Sequence, residues 1–202
     1  SDELLISKEK VELSASICKV DLISDSVKEF PELQGIMGSH LSKAQGFDKD
    51  IVEAIKEQYV PIGLESAVPK KPYSVTLSLT DRIDTLTGFF GVNEKPSSSK
   101  DPYALRRVAL GIIRIIIENK KDLKLNDLIS YSSNSYLDQG FNFSNDKIIK
   151  DILDFLKDRF KYYLKEKNIR HDIIEATSKT LNVNSISSVF EKSKSLNKVI
   201  NK

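Results

Sequence analysis

Apolar residues recur at intervals of three and four along most of the chain, which is the spacing of one face of an α-helix. Only eight Gly and six Pro interrupt the 202 residues. Asp48 and the pair Asp101-Pro102 are the clearest helix starts, because Asp accepts hydrogen bonds from free amides and Pro favours the first helical position. The pattern predicts an all-α fold of about eight helices, over residues 7–27, 31–44, 49–59, 74–90, 101–119, 144 onward, 172–181 and 187–199, with a short helix near 125–129.

Residues 74–90 are the ambiguous segment, because Val75 and Leu77 alternate with Ser and Thr as in a strand. The apolar residues that follow keep helical spacing, and the chain offers no partner strand, so a helix is favoured. In the first helix, Val20 and Ile23 are expected near the buried face. Gly111 leaves room on its helix for the close approach of a neighbour. The core stripe of that same helix is predicted to be Leu105, Ala109, Ile112 and Ile116.

Basic residues are concentrated in one part of the chain. The net charge is only +2, but residues 95–124 carry eight basic and three acidic groups. Lys outnumbers Arg 25 to 6, and four of the six Arg lie between positions 82 and 114. A planar guanidinium grips a phosphate with two hydrogen bonds, which an ammonium group does not. The distribution indicates a phosphate-binding surface, with a solvated charged face in which Arg114 pairs with Glu118 as the alternative.

The composition offers little for catalysis or for membrane insertion. Cys18 is the only cysteine and His40 and His171 are the only histidines, which excludes an internal disulfide and a zinc site of four Cys or His ligands. We expect a reducing, cytoplasmic setting, with Cys18 as a small buried hydrophobe. Neither a G-x-x-x-x-G-K-S/T loop nor a G-x-G-x-x-G turn is present. The longest apolar stretch is well below the roughly 20 residues that cross a bilayer.

Two pairs of ionisable residues could still carry chemistry. The dipeptide His171-Asp172 would need several further His and Asp to form a metal phosphohydrolase site, so an exposed helix start is the preferred interpretation. Asp81 and Asp84 share a helix face and could serve as paired carboxylates. A salt bridge to Arg82 or to another Arg is the favoured interpretation of this second pair.

Four long blocks of the sequence, in order, carry a resemblance. They are EFPELQGIMG (29–38), LTDRIDTLTGFFG (79–91), PSSSKDPYALRRVALGIIRI (96–115) and FLKDRFKYYLKEKNIRHDIIEA (155–176). Together they resemble the β subunit of bacterial two-chain glycyl-tRNA synthetase, in its middle-to-late region. The resemblance implies a His-Asp-like helical domain without its metal site over residues 1–120. It also implies an additional helical segment over 121–202, leading toward an anticodon-binding domain that lies outside this chain.

The resemblance implies a role in glycyl-tRNA synthesis. The chain would be part of glycine–tRNA ligase, binding tRNA(Gly) and organising the assembly with a separate α chain. ATP and Mg²⁺ would be used by that α chain, so we expect no cofactor, metal or catalytic residue in this segment, and no catalysis by it alone. The alternatives are a metal-dependent phosphohydrolase of the His-Asp kind and a purely structural helical interaction module.

Several positions depart from the family's pattern. Residues 18–21 stand where a hydrolytic His-Asp domain has its His-Asp pair, and Lys19 is a poorer metal ligand than a neutral imidazole. Asp81 resembles the final Asp of such domains. Gln58 stands where His is expected in E-H-Y-x-P, and Ser98 where Gly is expected in P-T-G-S-K-D-P. The first exchange removes a possible ligand and the second stiffens the loop.

Six basic side chains are the candidates for tRNA contact. The charge distribution and the Asp-Pro helix start, which would present backbone amides beside basic side chains, point to the same region. The leading candidates are Lys100, Arg106 and Arg107, and the weaker ones are Lys95, Arg82 and Arg114.

Overall fold

The computed structural model describes residues 6–179 and 185–200, and all regular structure in these residues is helical. The all-α prediction is confirmed. Two 3-10 turns, Val20–Ile23 and Pro31–Leu33, accompany the α-helices of the described residues. These helices are α1 (Lys8–Ile17), α2 (Asp25–Glu29), α3 (Ile36–Ala44), α4 (Lys49–Glu57), α5 (Pro72–Gly91), α6 (Leu105–Glu118), α7 (Leu125–Asp138), α8 (Asn145–Glu166), α9 (His171–Lys179) and α10 (Ile186–Ile200).

The chain divides into two compact units, Ser1–Asp81 and Arg82–Lys202, with the boundary inside α5. In the first unit, α4 packs against both α3 and α1. In the second unit, α8 packs against α6, α7 and α9, and α10 packs against α6 and α9. The division at residue 120, which rests on the resemblance, stays a prediction. No helix in the described part of the chain is long and apolar enough to cross a membrane.

The core of the first unit forms around α4. Asp48 caps this helix, since its Oδ1 accepts a hydrogen bond from the amide of Asp50 at 2.8 Å. The predicted start is therefore confirmed. Cys18 is buried as expected, at 5% exposure, and its thiol packs among apolar side chains of the same unit. That cluster consists of Cys18, Ile51, Ala54, Ile55 and Leu77, with Ile17, Phe47 and Tyr73 at its edge.

The prediction of one helix over residues 7–27 is wrong. Helix α1 ends at Ile17, and the chain continues through a 3-10 turn into the short α2. The break places the carboxylate of Asp21 in the interior, where it accepts hydrogen bonds from the amides of Gly35 (2.7 Å) and Gly38 (3.0 Å). Because the helix is interrupted, Val20 and Ile23 lie on the surface at 51% and 76% exposure instead of facing the core.

From α5 onward, the periodicity predicts the helices and their buried faces well. The segment from Pro72 to Gly91 is one helix, as favoured over a strand. The segment near 125–129 is longer than predicted, since α7 continues to Asp138. The helix predicted over 172–181 is present as α9, but its predicted end lies outside the described residues. The expected core stripe of α6 is confirmed, with no member more than 1% exposed: Leu105, Ala109, Ile112 and Ile116.

Candidate functional site

Helix α6 begins at Leu105 rather than at Pro102, because Pro102 and Tyr103 lie in a turn and Ala104 has a left-handed backbone (φ 53°). Asp101 still caps the helix from this distance. Its Oδ1 accepts from the amide of Leu105 at 2.8 Å and its Oδ2 from the amide of Arg106 at 3.0 Å. The amides that were expected to face a phosphate are therefore occupied by a carboxylate. Binding of an anion at this helix start must rest on side chains.

The loop before α6 is closed on itself by hydrogen bonds. The amide of Ser97 donates to the carbonyl of Lys100 at 2.9 Å, and the amide of Lys100 donates to Ser97 Oγ at 3.2 Å. The guanidinium of Arg106 donates to the carbonyl of Ser97 and lies 3.8 Å from Asp101 Oδ2. These bonds give the loop a defined shape, with Ser98 and the side chain of Lys100 exposed at its tip.

The three weaker candidates for tRNA contact are engaged inside the fold. Arg82 and Arg114 are buried, at 6% and 4% exposure. Arg114 donates from Nε to Glu118 Oε1 at 2.8 Å, so the i,i+4 ion pair considered as the alternative is present. Lys95 forms a salt bridge with Asp151, and its ammonium lies 5.6 Å from the centre of a phenylalanine ring. None of these three side chains therefore offers an exposed cation to a phosphate in this structure.

The three leading candidates differ from one another. Arg106 is half-buried, and its guanidinium holds the loop together. Lys100 and Arg107 are exposed, and neither forms a salt bridge with any described residue. Lys100 and Arg107 are therefore the cations that the start of α6 offers to a phosphate. Contact of any of the six residues with tRNA stays a prediction.

Tyr103 is a residue of this site that the sequence patterns did not single out. Its ring stacks on that of Phe89 in α5, with 4.2 Å between the ring centroids and 27° between the planes. The residue nevertheless remains 45% exposed. The sequence does show an aromatic residue between Pro102 and the basic start of α6. Its stacking partner, Phe89, could not be predicted, because that contact depends on tertiary packing.

In the first unit, the polar residues at the His-Asp-like position are held by structural bonds. Lys19 Nζ lies 2.6 Å from Asp81 Oδ1, so Asp81 forms a salt bridge with a lysine, whereas the sequence favoured an Arg. Gln58 is fully buried, and its Nε2 donates to the carbonyl of Cys18 at 2.5 Å. Burial raises the pKa of the Cys18 thiol, which disfavours the reactive thiolate. Asp21 is bonded to backbone amides, as described above.

The His171-Asp172 dipeptide lies at the exposed start of α9, as interpreted from the sequence. Asp172 Oδ2 is 2.8 Å from a guanidinium nitrogen of Arg170, and this hydrogen bond lowers the pKa of the carboxyl group. Among the residues that the structure describes, no group of three or more His, Cys, Asp or Glu is placed to hold a metal ion. The described side chains therefore provide no ligand set for a metal-dependent phosphohydrolase.

Comparison with known proteins identifies the family. The family described as "Glycyl-tRNA synthetase beta subunit" matches residues 2–179. The chain belongs to the glycyl-tRNA synthetase β-subunit family. The glycine–tRNA ligase beta subunit of Rickettsia canadensis is 50% identical over 153 residues, which is 76% of this chain and 22% of that protein. The corresponding protein of Rhodospirillum centenum is 43% identical over 168 residues, 83% of this chain and 23% of that protein.

A third relative in the glycyl-tRNA synthetase β-subunit family matches over a similar share of both chains. The glycine–tRNA ligase beta subunit of Cereibacter sphaeroides is 44% identical over 163 residues, 81% of this chain and 23% of that protein. The chain thus spans about 23% of the length of these curated relatives. The resemblance on which the sequence interpretation rested is confirmed at the level of the family.

Proposed function

We propose that this chain is a tRNA-binding and organising part of a glycine–tRNA ligase β subunit. It acts together with a separate α chain that makes glycyl-adenylate from glycine and ATP with Mg²⁺, in the cytoplasm. Membership of the β-subunit family supports this role. Among the described residues, no group of three or more His, Cys, Asp or Glu is placed to hold a metal ion, and we assign the ligase chemistry to the partner chain.

One observation carries the tRNA-binding part of the proposal. Lys100 and Arg107 are exposed cations without a described acidic partner, and they flank a hydrogen-bonded turn in the most basic segment of the chain. A polyanion gains affinity from such cations because each phosphate contact releases a condensed counterion. Other basic residues nearby, among them Arg114, are already paired. We propose tRNA(Gly) as the polyanion.

The experiment that tests this role measures tRNA binding by the intact α/β enzyme as a function of salt. Removing both cations with Lys100→Ala and Arg107→Ala should flatten the slope of log affinity against log salt by about 1.4 to 1.8 units, if each contacts one phosphate. The matched control removes two exposed lysines of α10, Lys192→Ala and Lys194→Ala. An equal change in both double variants would mean a general charge effect and would exclude a site at α6.

The two alternative functions are not favoured. A phosphohydrolase would need ligands that the described residues do not bring together. A purely structural module would bind no RNA, so both double variants would leave tRNA affinity and its salt dependence unchanged. The same titration therefore separates the proposed function from the structural module.

A further inference from the structure

Tyr103 combines a ring contact inside the second unit with exposure to solvent. One face of its ring is covered by Phe89, and 45% of the residue is open to solvent. A tyrosine that served only as a core residue would bury both faces, as Tyr163 does at 2% exposure. The ring of Tyr103 is thus the outer layer of a two-ring stack that is supported from inside the fold.

The backbone around Tyr103 is fixed by contacts on both sides. The amide of Ala104 donates to the carbonyl of Asp101 at 3.1 Å, which closes the turn that carries the ring. Asp101 in turn holds the first amides of α6. Because the ring is already ordered, the protein would lose little conformational entropy when a ligand stacks on it.

Exposed basic residues close to Tyr103 in the sequence favour an anionic ligand. Lys100 precedes Tyr103 by three positions and Arg107 follows it by four, and both side chains are exposed. The acid of the same turn, Asp101, is occupied by two amides and lies 3.8 Å from the guanidinium of Arg106. An exposed aromatic face between open cations is the combination that binds nucleotides of single-stranded RNA, whose bases stack on the ring while cations hold the phosphates.

We propose that Tyr103 is a stacking platform for one unpaired nucleobase of the bound RNA, extending the Phe89–Tyr103 stack by a third ring. A base inside a duplex is already stacked on its neighbours, so this surface takes a nucleotide from a loop, a bulge or a single-stranded end. The proposal rests on the proposed function, because it specifies which part of the RNA lies at the start of α6.

The test compares variants of Tyr103 in the intact α/β enzyme with tRNA as the probe. Tyr103→Ala should weaken binding about 5- to 150-fold, which is the usual effect of removing one base-stacking side chain. The slope of log affinity against log salt should stay unchanged, because no charge is lost. Tyr103→Phe keeps the aromatic face and should bind within about twofold of the unchanged enzyme.

Two controls separate stacking from folding. Tyr131→Ala removes a tyrosine of α7 that is 77% exposed and should leave tRNA affinity unchanged. Tyr103→Leu keeps an apolar side chain against Phe89, so it should preserve the melting temperature and still lose affinity. Binding by Tyr103→Leu at the level of Tyr103→Phe would overturn the proposal, and so would unchanged binding by Tyr103→Ala.

The same titrations distinguish the failure of this inference from failure of the proposed function. If the Lys100 and Arg107 variants flatten the salt slope but the Tyr103 variants bind normally, only the stacking platform is refuted. If neither set changes tRNA binding, the proposed RNA-binding role of this region fails as well.

Discussion

Gly111 of α6 lies directly against the side chain of Arg82 in α5. A Cβ at position 111 would lie 3.1 Å from Arg82 Cδ, and closer still to Nε. Arg82 is 6% exposed, so its guanidinium has little room to move aside. The close approach expected at Gly111 is therefore real, and it explains how an arginine can be accommodated between two helices of the second unit.

Gly111→Ala should destabilise the protein. Overpacking in a filled interior costs about 1–3 kcal/mol, and the better helix propensity of Ala returns about 1 kcal/mol. We expect a net loss of up to about 2 kcal/mol, measured as a lower denaturant midpoint of the β chain. Gly63→Ala is the control, since no atom lies within 4 Å of a Cβ at that position. A midpoint for Gly111→Ala equal to that of Gly63→Ala would contradict the packing described here.

Asp101 stabilises α6 from outside the helix, so replacing it should lower the stability of the fold. Asp101→Ala leaves the amides of Leu105 and Arg106 without their acceptor, which should cost about 1–2 kcal/mol. Asp101→Asn keeps one acceptor oxygen and should cost less. Thermal melts of the two variants provide the measurement, and equal melting temperatures in both would argue against a capping role.

Local periodicity accounted for the buried stripe of α6, because every member of that stripe lies within four residues of the next. The start of the same helix was predicted at the wrong residue. It depends on the left-handed backbone of Ala104 and on the neighbouring Tyr103, whose ring stacks on Phe89 of another helix. Such a contact leaves no periodic signal. The charge count located the basic segment but could not show that Arg114 and Arg82 are buried within it.

The break after α1 has the same kind of cause. The apolar spacing of Val20 and Ile23 continued that of α1 and favoured one long helix. The buried hydrogen bonds of Asp21 to Gly35 and Gly38 join positions 14 and 17 residues apart, and they stabilise a turn instead. The sequence also favoured an Arg as the partner of Asp81, whereas the salt bridge in the structure is formed by Lys19, which lies far from Asp81 along the chain.

Alkaline pH should destabilise the second unit through Tyr136. Burial raises the pKa of Tyr136 to about 12, whereas an exposed tyrosine titrates near 10. Between these values the unfolded chain loses the proton first, so the folded state binds more protons and stability falls as pH rises. Below about pH 10, Tyr136 is protonated in both the folded and the unfolded state, so its contribution to the free energy of unfolding does not change with pH.

Tyr136→Phe should therefore reduce the loss of stability between about pH 10 and 12. The substitution keeps the edge-to-face contact with Phe141, whose ring centroid is 5.4 Å away. Denaturant midpoints of the β chain across this range provide the measurement, and a curve for Tyr136→Phe identical to that of the unchanged chain would refute the assignment.

Arg106 and Arg107 are adjacent arginines that differ in their contacts within the fold. Arg106 holds the carbonyl of Ser97, so Arg106→Ala should lower the melting temperature. Arg107 is exposed and forms no salt bridge with the described residues, so Arg107→Ala should melt normally. If Arg107 contacts one phosphate, its loss should flatten the salt dependence of tRNA binding by about 0.7 to 0.9 units. Both variants are to be measured in the intact α/β enzyme, by thermal melts and by tRNA titration at several salt concentrations. A flatter slope for Arg106→Ala with normal melting, together with an unchanged slope for Arg107→Ala, would reverse the assignment and place Arg106 on the RNA.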